Sequence, residues 1–81
     1  MAGQKEIPSP QDYYERLGER LKTLRLEAGF DSAEAFAIHH KMGRTQYLAY
    51  ERGKDLQLST IRRLARFHKI TPDELLRGLG S

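Results

Sequence analysis

Apolar positions recur along this chain at helical intervals. Tyr13, Leu17, Leu21, Leu24 and Ala28 are four, four, three and four residues apart, so they fall on one stripe of an α-helix. Ser9 supplies a cap, Pro10 suits the first helical position and Asp12 complements the positive end of the helix dipole, which together predict the start of that helix. Gly29 predicts its left-handed end. Its opposite face, with Glu15, Arg16, Glu19, Arg20 and Lys22, reads as an ordinary solvated surface.

Four shorter segments follow the same logic. Asp31-Ser32 caps a second helix over 33–39 with Phe36 and Ala37 inward. Gly43 opens a third, on which Tyr47 and Tyr50 sit three apart on the inner face, and Gly53 closes it. After a turn at 54–57, Leu58, Ile61, Leu64, Ala65 and His68 mark the buried side of a fourth. Thr71-Pro72-Asp73-Glu74 combines a cap, a proline and a capping-box glutamate, and starts a last helix with Leu75, Leu76 and Leu79 as its apolar face. No β-alternation competes. The expected fold is all-α: five helices within residues 9–81, preceded by a polar, aperiodic tail at 1–8 that reads as flexible.

Residues 39–43 leave little room between the second and third helices, so the two must cross steeply, with Met42 at the corner. The third helix is about two turns long, too short to persist without tertiary packing. With its tyrosines anchored inside, Arg44, Thr45, Gln46, Leu48 and Ala49 are left to face a partner.

Size and charge narrow the class of partner. A chain of 81 residues can bury one modest core and has little left for a deep substrate cleft. It has no cysteine, hence neither a disulfide framework nor a thiolate zinc site. Nothing resembles a signal peptide or a membrane span, and a cytoplasmic protein is expected. The net charge is +3, but it is unevenly divided: residues 1–40 hold five Lys or Arg against seven Asp or Glu, and residues 41–69 hold eight against two. Cationic side chains thus cluster in and after the third helix, which points to a polyanion. His39 and His40 project about 100° apart on a helix and lack a completing ligand set with His68, so neither metal nor cofactor is expected. No nucleophile and base stand at a recognisable spacing, and an enzyme is not expected.

In its order of parts the chain resembles the Cro and lambdoid-repressor helix-turn-helix family, the xenobiotic-response-element class of bacterial regulators. The resemblance spans roughly residues 17–77. It rests on Leu24-Arg25 before Gly29, Phe36-Ala37, Arg44-Thr45, the string Tyr50-Glu51-Arg52-Gly53-Lys54, and Ile61, Leu64, Ala65 and Leu75. It implies a lambda-repressor-like DNA-binding domain whose third helix, 44–52, lies in the DNA major groove. Arg44, Thr45, Gln46, Leu48 and Ala49 would then read bases: an arginine suits guanine, a glutamine suits adenine, and methyl groups suit thymine.

Phosphate contacts would come from the starts of the second and fourth helices, at Ser32-Ala33 and Ser59-Thr60, and from Lys41, Arg52 and Lys54. Arg25 and Glu51 match a pair that in the family is buried between the first and third helices. Three departures stand out: Ala33 where a phosphate-gripping glutamine is common, Lys41 where a glycine is usual, and His68 where an apolar residue is usual. The resemblance further implies a homodimer on double-stranded DNA, assembled through the fifth helix with Leu76 and Leu79 as candidates, and repression as its effect. The competing expectation is an antitoxin or adaptor that binds a protein partner such as a toxin, for which an exposed apolar patch would be diagnostic. Arg62, Arg63, Arg66 and Lys69 read as a solvated face.

Overall fold

Hydroxyl caps set three of the five helix starts. A computed structural model of the chain describes residues 9–79, so the tail expected at 1–8 lies outside the described residues. Helix α1 (Pro10–Glu27) starts where Ser9 Oγ accepts from the Asp12 amide at 3.1 Å. Helix α2 (Ala33–His39) starts where Ser32 Oγ accepts from the Ala35 amide at 3.0 Å, and α5 (Pro72–Leu76) where Thr71 Oγ1 accepts from the Glu74 amide at 3.0 Å. Each hydroxyl satisfies an amide that the first helical turn leaves without a partner. Helices α3 (Arg44–Glu51) and α4 (Leu58–Phe67) begin at Gly43 and Gln57 without a side-chain cap. Among the described residues there is no strand, and no helix is long and apolar enough to cross a membrane.

The helix ends share one device. Backbone amides of Phe30, Met42, Lys54 and Ile70 donate to the carbonyls of Arg25, Ala37, Ala49 and Ala65 at 2.8–3.1 Å, closing α1 to α4 with the paired bonds of a Schellman motif. The motif needs a left-handed residue. Gly29 and Gly53 supply it at φ 95° and 106°, whereas Lys41 and Lys69 supply it at 58° and 59° despite carrying a Cβ.

Packing converges on α3, which is contacted by both α1 and α2, while α5 packs on α4. Leu17, Leu21, Phe36, Tyr47, Leu64 and Leu75 are fully buried at the centre. Gly18 makes the close approach of α1 and α3 possible. A Cβ at that position would collide with the Glu51 carbonyl and come within 2.8 Å of the Tyr50 carbonyl oxygen.

Several sequence expectations change here. Ala28 is exposed, because it is the cap residue beyond the last turn of α1. Leu58 is 68% exposed; it lies about 70° from the mid-line of the stripe formed by Ile61, Leu64, Ala65 and His68. Helix α5 ends at Leu76, so Leu79 lies beyond the helix and is buried there rather than on a helical face. Arg16 and Arg20 are not merely solvated. Arg20 donates to the carbonyls of Leu75 at 2.7 Å and Glu74 at 2.9 Å, and Arg16 to that of Leu79 at 3.1 Å.

Candidate nucleic-acid interface

Helix α3 is fixed from behind by a buried polar cluster. Arg25 of α1 donates through Nε to Glu51 Oε2 at 2.8 Å and through Nη2 to Oε1 at 3.2 Å, with both side chains 6% exposed. Its third nitrogen, Nη1, donates to the Phe30 carbonyl at 2.9 Å, and Tyr47 Oη donates to Glu51 Oε2 at 2.5 Å. Hydrogen bonding to Glu51 raises the Arg25 pKa against the opposing effect of burial. Burial first, and then the Glu51 carboxylate, push the Tyr47 phenol far up, so it remains a donor. Every member is satisfied, the condition under which buried charges hold a structure in register.

With Tyr47 and Tyr50 inward, a rotation of about 100° per residue places Thr45 opposite them, with Arg44, Leu48 and Ala49 to either side. Arg44, Thr45, Gln46 and Leu48 are exposed, and Ala49 is half-buried. Leu48 is 37% exposed. Arg44 Nη1 donates to Glu34 Oε2 of α2 at 2.9 Å, across a pair in which both side chains are 63% exposed.

Cations flank this edge. Lys41, Arg52 and Lys54 are all exposed, in the turn before α3 and at its end. Ser32 is exposed with its hydroxyl committed to the α2 cap, whereas Ala33 is buried. Ser59 is exposed and Thr60 half-buried in the first turn of α4.

Arg63 belongs with these groups, although its sequence position suggested only solvation. It lies on α4 yet donates to the Lys41 carbonyl at 3.2 Å and, more distantly, to that of His40 at 3.5 Å, while its guanidinium sits 5.5 Å above the Phe67 ring. It thereby holds the turn between α2 and α3. The only advance signal was an arginine four residues before an aromatic on one helix; the carbonyls it serves adjoin it only after folding. Arg62, Arg66 and Lys69 are exposed.

Behind α2 lies an aromatic and histidine cluster. His40 stacks on Phe67 at 4.1 Å and His68 on Phe36 at 5.2 Å between ring centres. Burial lowers the pKa of both, and each is lowered further by a neighbouring cation or histidine. His68 Nε2 is buried without a hydrogen-bond partner. No three His, Asp or Glu side chains gather as a metal site among the described residues.

Between α1 and α3 an open groove of about 880 Å³ runs beside Leu48 and Arg52. Its α1 wall bears Asp12, Glu15 and Glu19 against Arg16, Lys22 and Arg25, three charges of each sign. That wall is balanced in charge, whereas the α3 edge is flanked by Lys41, Arg52 and Lys54. A polyanion is drawn to the α3 edge.

Two crossing helices, α2 and α3, joined by a short turn and buttressed by α1 and α4, define a helix-turn-helix. Residues 18–81 match the family model described as a helix-turn-helix domain, and the chain belongs to that family. It is also similar to the crystal structure of a hypothetical transcription factor from Neisseria, NHTF, with a TM-score of 0.71 and 28% sequence identity over 90% of this chain and 84% of that one. A search of curated proteins gives no match. DNA binding is the activity that this family membership supports.

Proposed function

We propose that this chain is a transcriptional regulator of the Cro and lambdoid-repressor class, which reads double-stranded DNA by laying α3 in the major groove. The observation that carries the reading is the two-sided character of α3: Tyr47, Tyr50 and Glu51 root it in the core, Thr45 and Leu48 stand exposed on the other side, and Arg44 and Gln46 are exposed at its flanks. Arg44 suits guanine and Gln46 adenine, with Thr45, Leu48 and Ala49 offering methyl groups to thymine. Lys41, Arg52, Lys54 and the helix starts at Ser32-Ala33 and Ser59-Thr60 grip phosphates and set the register. The Neisseria protein's description as a hypothetical transcription factor supports the same reading.

The large exposed apolar residues, Leu26, Ile38, Leu48 and Leu58, lie one to each of four helices, which favours DNA over an apolar protein partner. A homodimer would place two α3 helices about one turn of DNA apart, and occupancy of a promoter would repress it. Leu79 is already covered within the monomer and Leu76 is half-buried, so Leu76 is the residue of that pair with surface to offer a second copy.

Selection of bound duplexes from a random pool tests this directly. A roughly palindromic motif is expected. On that motif, Arg44→Ala should lose about 1–3 kcal/mol at one base position and relax the preference there, while Lys54→Ala should weaken all duplexes alike. Equal behaviour of the two variants across the panel would refute direct readout by Arg44.

A further inference from the structure

Arg44, at the first position of α3, is already engaged before any ligand arrives. It gives one guanidinium nitrogen, Nη1, to Glu34 Oε2 at 2.9 Å, and its Nε and Nη2 have no protein partner among the described residues. At 63% exposure on both sides this pair adds little to folding stability. It is also placed against the general charge of the surface: Glu34 puts a carboxylate beside an edge otherwise flanked by Lys41, Arg52 and Lys54. On a face that meets a polyanion, a carboxylate weakens attraction to every sequence equally. Its presence calls for a role in discrimination.

The geometry supplies that role. An arginine side chain is long and flexible enough to follow either a phosphate oxygen or a base edge. Tethered through one nitrogen, its planar fork keeps two N–H donors side by side, the arrangement that pairs with guanine O6 and N7. The same carboxylate repels a phosphate oxygen that competes for the guanidinium. It also offsets the unfavourable meeting of a cation with the positive end of the α3 dipole. We infer that Glu34 is a specificity-determining residue: its carboxylate holds Arg44 for guanine and turns it away from the phosphate backbone. The inference rests on the DNA-reading function proposed above.

The test takes the selected duplex, each single-base variant of its guanine positions, and a scrambled duplex. Binding of the intact protein, Glu34→Gln, Glu34→Ala, Arg44→Ala and the double variant Glu34→Ala/Arg44→Ala is measured to these at low and moderate salt. Thermal midpoints of all variants should match, since the pair is exposed. Removing the Glu34 carboxylate should strengthen binding to the scrambled duplex severalfold with a steeper salt dependence, and should cut the guanine preference at the Arg44 position about tenfold. In the double variant, loss of Glu34 should no longer change the preference at that position. If Glu34→Gln and Glu34→Ala keep the full guanine preference while Arg44→Ala loses it, the inference falls and the DNA-reading function stands. If the intact protein selects no motif and binds no duplex even at low salt, the DNA-reading function falls and takes the inference with it.

Discussion

Two arginine–glutamate pairs tie α3 to its neighbours, and they differ in almost everything but chemistry. Arg25–Glu51 is two-pronged, 6% exposed on each side chain and completed by Tyr47 and the Phe30 carbonyl; Arg44–Glu34 is single-pronged and 63% exposed. Burial makes the first a matter of folding, because neither charge has water to fall back on once its partner is removed. Exposure makes the second nearly irrelevant to folding and leaves its arginine available to a ligand. One helix thus carries a structural end and a reading end, separated by which face each side chain occupies.

Breaking the buried side should have the largest effect. Arg25→Ala strands the Glu51 carboxylate in the core and should cost about 3–5 kcal/mol of stability, measured by urea unfolding. A loss below about 1 kcal/mol would mean that water reaches the pair. Gly18→Ala attacks the same root from α1, where the added methyl meets the backbone carbonyls of Tyr50 and Glu51, which have no rotamer to yield. It should destabilise by about 1–3 kcal/mol, with the Arg25–Glu51 geometry disturbed as α1 is forced away from α3.

The histidine cluster behind the root gives a smaller and pH-dependent effect. Burial holds the pKa values of His40 and His68 below their ordinary value, so the folded state favours the neutral rings and the unfolded chain binds more protons. Their contribution is therefore fully present above about pH 6.5, the unperturbed histidine value, and is lost as the pH falls through the lowered folded values. Thermal midpoints should drop as the pH falls below about 6.5. His68→Leu, which removes the unpartnered Nε2, should raise stability by about 1 kcal/mol and flatten that drop. A pH profile identical to that of the parent protein would assign the acid sensitivity elsewhere. On the exposed side, Arg44→Ala should shift stability by no more than about 0.5 kcal/mol while altering DNA recognition, the sharpest separation of the two pairs that one substitution can give.

What the sequence made legible was local. Ser9, Ser32 and Thr71 cap amides three residues away, and Tyr47 and Tyr50 are neighbours on one helix, so spacing alone locates them. Gly18 shows the limit: inside a helix its sequence context marks nothing, and its purpose depends on carbonyls more than thirty residues away. Arg63 and the Glu34–Arg44 pair escaped for the same reason, since each joins elements whose relative placement only tertiary packing decides. The left-handed turns at Lys41 and Lys69 have no local cue either. Lysine resists that conformation, and the turns hold because paired backbone bonds and packing on both flanks over-determine them.

Helix α5 has five residues, too few to persist by itself; Arg20 of α1 claims its Glu74 and Leu75 carbonyls, and Arg16 claims that of Leu79 just beyond it. During synthesis those arginines leave the ribosome early and wait, without their acceptors, until residues 74–79 follow. The clasp between α1 and residues 74–79 therefore shuts late, and a nascent chain halted before that point lacks the acceptors for Arg16 and Arg20.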